Sequence, residues 1–147
     1  MPEITVKTEI RNTEDEGKVR IAIENIINFE RLDTYQENGK RYFVAKAYSL
    51  KALDKIASLI KRQRIELTAR SIFEKGLEDN VIRFKLNKQA AFANKISFVT
   101  VEGEATLGAI EIEILAEEPR KIIDYIAPIP KSLRKTKEQG DKSLEQL

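Results

Sequence analysis

The fold class the sequence predicts is an α+β two-layer sandwich, one largely antiparallel sheet with helices packed on one face. Three observations predict it. Several segments alternate apolar and polar residues with the period of two that a half-buried strand requires. Others repeat apolar residues at helical spacing behind capping residues. In the middle of the chain an Asn38-Gly39 dipeptide between two alternating runs marks a hairpin.

The first strand sets Ile4, Val6, Thr8 and Ile10 against Thr5, Lys7, Glu9 and Arg11. Thr13 and Glu16 have the spacing of a capping box, and Glu14, Asp15 and Glu16 sit near the positive end of the helix dipole. Val19, Ala22, Ile23, Ile26 and Ile27 are the apolar stripe of that helix. A type I′ turn at Asn38-Gly39 then pairs Glu37 with Lys40, Tyr35 with Tyr42 and Leu32 with Ala45, between strands over about 31–36 and 41–48. Ser49 is placed as the N-cap of a second helix with Leu50, Leu53, Ile56, Ala57 and Ile60 on one face. Ile65, Ala69, Ile72 and Phe73 carry a helical pattern to Gly76, a suitable C′ glycine. The pattern leaves open whether Lys61–Arg64 separates the two helices.

Further on, Ile82, Phe84 and Leu86 alternate with Arg83 and Lys85, and Ile110, Ile112 and Ile114 with Glu111 and Glu113. Between them Lys95–Val101 reads as a strand of ambiguous facing. Pro119 opens a last helix with Ile122, Ile123 and Ile126 inward, and Pro128 stops it. The order is β-α-β-β-α-α-β-β-β-α. Residues 1–130 form a single domain and 131–147 a polar, mobile C-terminal tail.

With 147 residues, 34% of them charged and 41% hydrophobic, the chain can bury one sizeable core. No apolar run approaches the ~18 residues of a membrane span, and no secretory signal opens the chain, so a cytoplasmic protein is expected. His is 0 and Cys is 0, which excludes imidazole bases, thiolate nucleophiles, disulfides and Cys/His metal sites. A non-enzymatic protein with no cofactor, no metal and no small-molecule substrate is the expectation. The run Gly103-Glu-Ala-Thr-Leu-Gly108 lacks the Lys-Ser/Thr and the following helix of a phosphate loop, and reads as a loop into a strand. Helix-start electrostatics account for Glu14, Asp15 and Glu16 without a magnesium ion.

Charge is unevenly spread. Residues 51–100 hold eleven bases and five acids, a net of +6, while the whole chain carries only +2. A basic segment of this kind is the footprint of a nucleic-acid binder. On a wheel of about 100° per residue from Leu50, the apolar stripe centres near ~290°, and Lys51, Lys55 and Arg62 fall at ~100°, ~140° and ~120°. They form a basic ridge suited to a phosphate backbone, which Arg64 and Arg70 extend. The rival reading is a solvated helix face. On the sheet, Arg83 and Lys85 face the same way as Glu9, Glu111 and Glu113, so the signs cancel if those strands are neighbours. Tyr35 and Tyr42 read as a cross-strand pair that stabilises the hairpin. Ile21 points about 190° from its helix's apolar stripe, and is either a single exposed apolar residue or a contact in a homodimer.

The run Ile82-Arg-Phe-Lys-Leu-Asn-Lys-Gln-Ala-Ala-Phe92, with Lys95-Ile-Ser-Phe98, Leu107-Gly-Ala-Ile-Glu-Ile112 and Ile123-Asp-Tyr-Ile-Ala-Pro128, resembles an uncharacterised archaeal protein family catalogued among candidate RNA-binding proteins. The resemblance covers residues 3–130, and Leu-Asn-Lys-Gln-Ala-Ala-Phe is its most specific part. It implies a fold similar to the ribosomal large-subunit protein that holds 5S ribosomal RNA, and RNA as a ligand by fold analogy alone. It carries over no catalytic residues. Within the family string, Asn87, Lys88 and Gln89 are either phosphate donors or a link between two strands. Two functions follow: a domain that binds structured RNA through phosphates, with Lys51, Lys55, Arg62, Arg64, Arg70 and Lys88 as contacts, or a dimeric protein-interaction module with no nucleic-acid binding.

Overall fold

A computed structural model describes residues 2–100 and 108–133. Its centre is β1 (Glu3–Ile10), which pairs antiparallel with β3 (Lys40–Ala47) on one side and β6 (Ala109–Leu115) on the other. The hairpin partner β2 (Arg31–Glu37) extends the sheet beyond β3; β5 (Val81–Asn87) and the two-residue β4 (Leu77–Glu78) extend it beyond β6. The resulting order is β2-β3-β1-β6-β5-β4. The predicted hairpin register holds, with Glu37 opposite Lys40, Tyr35 opposite Tyr42 and Leu32 opposite Ala45.

Register turns the alternation into a core. Ala47, Ile4, Ile114 and Ile82 lie side by side across four strands, and Ala45, Val6, Ile112 and Phe84 form the next row. Onto this face pack α1 (Glu16–Ile26), α2 (Asp54–Gln63), α3 (Glu66–Lys75) and α5 (Pro119–Ile126). Ile23, Ile26, Ile56, Ile60, Phe73, Ile123 and Ile126 are fully buried there. Each such side chain contributes about 1.5–3 kcal/mol by leaving water. Phe73 also meets the rings of Phe84 and Phe98 at centroid distances of 4.8 and 5.8 Å. The fold is the expected α+β sandwich, and among the described residues no helix covers the second face of the sheet.

Local chemistry differs from the sequence reading at several ends. Asp15, not Thr13, caps α1: its Oδ1 accepts from the Gly17 and Lys18 amides at 2.8 and 3.4 Å. Ser49 heads a 3-10 turn (Leu50–Leu53) without a side-chain cap, and α2 begins only at Asp54. Arg64 separates α2 from α3 with left-handed backbone at φ 59°, its amide bonding the Ile60 and Lys61 carbonyls. Gly76 is not a left-handed cap, since its φ is −89°. It is glycine because a Cβ there would lie 1.9 Å from the Arg83 carbonyl oxygen.

Asn87 begins a short helix, α4 (Lys88–Phe92), by accepting the Ala90 amide at 2.8 Å. The link between two strands expected there is therefore helical. Of the expected Lys95–Val101 strand, the described residues form one isolated bridge, Leu86 to Phe98. Residues 101–107 of the glycine-containing loop, and the tail from residue 134, lie outside the described residues.

Candidate nucleic-acid interface

The two faces of the molecule differ in how their charges are used. On the bare face, register places the cations Lys7, Arg31, Lys40, Lys46, Arg83 and Lys85 among the anions Glu3, Glu9, Asp33, Glu37, Glu78, Glu111 and Glu113. Neighbouring strands match them: Arg83 reaches Glu113 at 3.0 Å, Lys85 reaches Glu111 at 3.7 Å, and Lys46 reaches Glu3 at 3.4 Å. The cancellation expected from the alternation is present. Tyr35 and Tyr42 stack on each other at 5.2 Å, and the Lys7 ammonium lies 4.6 Å from the Tyr42 ring centre. Hydrogen bonding to Tyr35 raises the Lys7 pKa above its usual value. The aromatic pair is thus occupied within the sheet.

A cleft of about 520 Å³ opens beside β5, with Ile72, Phe84 and Val99 in its wall. Arg83, Lys85, Glu111 and Glu113 also line it, and they are the residues already ion-paired to one another. The three acidic residues ahead of α1 diverge as well. Glu14 pairs with Lys88, Asp15 caps the helix and Glu16 meets Arg41. Among the described residues no cluster of three or more metal-ligating side chains forms.

On the helical side the predicted basic residues separate into two groups. Lys88 is withdrawn from any partner's reach. Its side chain is 5% exposed, and its ammonium lies 3.0 Å from Glu14 Oε1 and 2.7 Å from the Glu9 carbonyl oxygen. Arg70 is also committed, because its guanidinium bonds the Ala127 carbonyl and Asp124, both at 2.9 Å, tying α3 to the end of α5. These two do not belong to a ridge. Lys55 and Arg62, with Ser58 between them, do share the exposed side of α2, opposite Ile56, Leu59 and Ile60. The Lys55 ammonium also bonds the Glu24 carbonyl of α1 at 2.7 Å. Lys51 sits on the 3-10 turn, outside the helical register assumed for it.

Two cations that sequence reasoning missed join this group. Lys61 lies beside Arg62, and Lys95 is brought to the end of α2 by Gln63. The Gln63 side chain donates to the Ile96 carbonyl at 2.9 Å and accepts from the Ile96 amide at 2.7 Å. The one available signal was Lys61-Arg-Gln-Arg64, three bases around a single amide. Among the described residues, Lys51, Lys61, Arg62, Arg64 and Lys95 enter no ion pair and no side-chain hydrogen bond.

Ile21 on α1 is 45% exposed and Phe92 on α4 is 42% exposed. Lys18 lies 5.9 Å from the Phe92 ring centre, and Asn25 bonds the Phe92 carbonyl at 3.2 Å. Ile21 lies between those two residues on the same side of α1. On α5, the hydrogen bond to Asp54 raises the Tyr125 hydroxyl above its usual pKa.

A family model described as RNA binding matches residues 3–116. A UPF0201 protein of Sulfurisphaera tokodaii is 40% identical over 128 residues, covering 87% of this chain and 88% of its own. One from Pyrobaculum aerophilum is 41% identical over 122 residues, covering 82% and 85%. The crystal structure of a UPF0201 protein from Methanococcus jannaschii aligns with a TM-score of 0.72 at 35% identity, covering 88% of this chain and 95% of that one. The organisms are archaeal, as the resemblance implied, and the chain, which matches the RNA-binding family model, belongs to the UPF0201 family.

Proposed function

We propose that this UPF0201 protein is a cytoplasmic RNA-binding domain whose contacts run along the exposed side of α2 to RNA phosphates. The observation that carries the reading is the contrast between the two faces: cations matched by carboxylates on the sheet, and unmatched cations at Lys51, Lys61, Arg62, Arg64 and Lys95 on the helical side. The family description supports the ligand class. The implied likeness to the ribosomal protein that holds 5S ribosomal RNA points the same way, by analogy only. Contacts of this kind position the protein on the backbone and read little sequence.

The test is binding of nucleic-acid-free protein to a structured RNA at two salt concentrations. Five phosphate contacts, one for each of these unmatched cations, predict a loss of roughly 500-fold in affinity between ~50 and ~200 mM salt. A Lys51→Glu/Lys55→Glu/Arg62→Glu variant that melts like the parent is expected to lose at least another ~100-fold at low salt. Binding that ignores salt, or survives the triple reversal, removes this reading.

A second reading rests on Ile21 and Phe92, two large exposed apolar side chains on α1 and α4, with Phe92 set against Lys18 and Asn25 of the Ile21 face. They suit the self-complementary contact of a homodimer. A protein-interaction module built on that contact would associate with little dependence on salt. Sedimentation of Ile21→Lys against the parent separates the two readings.

A further inference from the structure

We infer that the corner where α2 meets α3 is a phosphate clamp for a double-helical RNA backbone, with Gln63 as its positioning residue. The inference rests on the RNA reading above and adds the class of RNA and the residues that grip it. Lys61, Arg62 and Arg64 form one jaw and Lys95 the other.

The second jaw is fixed by several hydrogen bonds. Gln63 holds the Ile96 backbone in both directions, at 2.9 and 2.7 Å, and Ile96 itself is 4% exposed. On the other side of Lys95, its own amide bonds the Ala90 carbonyl at 2.9 Å and the Asn94 amide bonds Ala91 at 3.0 Å. Asn94 turns the chain with φ 63°. The Lys95 backbone is therefore pinned while its side chain is exposed. A cation on a fixed base loses less freedom on binding an anion than one on a loose loop.

Arg64 supplies a separate argument. A helix most often ends in left-handed backbone on glycine, because a Cβ is strained there. Here the position carries arginine at φ 59°, and its side chain makes no ion pair or hydrogen bond among the described residues. The turn itself is held by backbone, with the Arg64 amide on the Ile60 and Lys61 carbonyls and the Ile65 amide on the Ile60 carbonyl, and glycine would hold it with less strain. What arginine adds is a guanidinium able to fork onto phosphate oxygens.

The missing groups indicate a duplex. Single-stranded RNA is held by stacking its bases on exposed rings, whereas double-stranded RNA is held mainly through phosphates, hydroxyls and shape. Between residues 58 and 68, and between 93 and 97, there is no aromatic residue. Phe92, just before the second jaw, stands against Lys18 of α1. The carboxylate in this corner's sequence is Glu66, in the first turn of α3, where it faces the helix dipole.

The test measures fluorescence anisotropy of a labelled RNA duplex and of its isolated strand across a salt series, with five proteins of verified melting temperature. The parent is expected to prefer the duplex at least ~10-fold and to bind with a steep salt slope. Lys95→Gln and Arg64→Gly should each weaken duplex binding about 10-fold and reduce the slope by about one. Arg64→Gly should do so with a melting temperature unchanged or higher, since it relieves the strained backbone. Gln63→Ala should reproduce the Lys95→Gln slope, and combining them should add little, because both act through one contact. If Gln63→Ala fails to fold, Lys95→Gln and Arg64→Gly decide alone. A parent that binds neither RNA overturns the RNA reading and the clamp together. Duplex binding that both single variants leave unchanged overturns the clamp and leaves the α2 ridge standing. Preference for the isolated strand overturns the duplex assignment.

Discussion

Lys88 and Glu14 are nearly excluded from water, with side-chain exposures of 5% and 9%, and each is satisfied by the other and by backbone. Lys88 donates to the Glu9 carbonyl, and Glu14 accepts from the Arg11 amide at 3.0 Å. One cluster thus joins the end of β1, the start of α1 and α4. Removing one partner from such a pair leaves a buried, uncompensated charge. Lys88→Met is expected to lower unfolding free energy by about 3–5 kcal/mol in denaturant titration. Adding Glu14→Gln should recover more than half, because the amide keeps an acceptor for Arg11 without the charge. Equal stability of single and double variants would show that the lost ammonium contacts matter and the stranded carboxylate does not. The same pair explains why site residues were only partly legible. A sequence reports that Lys88 is basic, but not that a carboxylate 74 positions away will bury it. Lys95 was missed for the converse reason, since Gln63 and Ile96 are 33 positions apart.

Where chemistry is local, the elements were readable. The Asn38-Gly39 turn set the hairpin register, because both central residues need positive φ, and they have 54° and 78°. Pro119 does open α5. The five residues of α4 were lost because Asn87-Lys-Gln89 interrupts the strand alternation before enough apolar positions accumulate to show a helical period. Gly76 was correctly singled out, but for the wrong reason. Its φ of −89° suits any residue; what forbids a side chain is the β5 backbone. Two alanine substitutions separate these roles. Gly39→Ala meets nothing within 4 Å and strains only its φ of +78°, so a loss of about 1–2 kcal/mol is expected. Gly76→Ala places Cβ 1.9 Å from the Arg83 oxygen, and that atom belongs to a strand held on both sides. Moving α3 off β5 should cost about 3 kcal/mol or more. Chemical denaturation of both variants gives the ranking, and a larger loss at Gly39 would mean that α3 and β5 part easily.

Taken together, the strands and helices make a body with two electrically different sides, and that asymmetry follows from how each side is built. In an antiparallel sheet every outward side chain has a fixed neighbour about 5 Å away, so opposite charges on adjacent strands are held in contact. Arg83 and Lys85 face Glu113 and Glu111 in this way. A helix offers such neighbours only three or four positions along its own chain, and α2 has no carboxylate at those positions from Lys61, Arg62 or Arg64. Lys61, Arg62 and Arg64 therefore stay available to an external polyanion, whereas Arg20, Arg70, Arg120 and Lys121 on the other helices are ion-paired. Neutralising a sheet pair is the sharpest control on this asymmetry. A Lys85→Gln/Glu111→Gln variant keeps the net charge, and because both side chains are about half exposed the pair contributes under ~1 kcal/mol to stability. If RNA lies along α2 and not on the strands, duplex affinity and its salt slope should stay within about twofold of the parent, because the net charge is unchanged and no phosphate contact is removed. Lys95→Gln, measured beside it, removes one charge and should lose about 10-fold. A sheet variant that weakens duplex binding as strongly as Lys95→Gln would move the interface to the strands, where matched charges would then have to separate before any phosphate could enter.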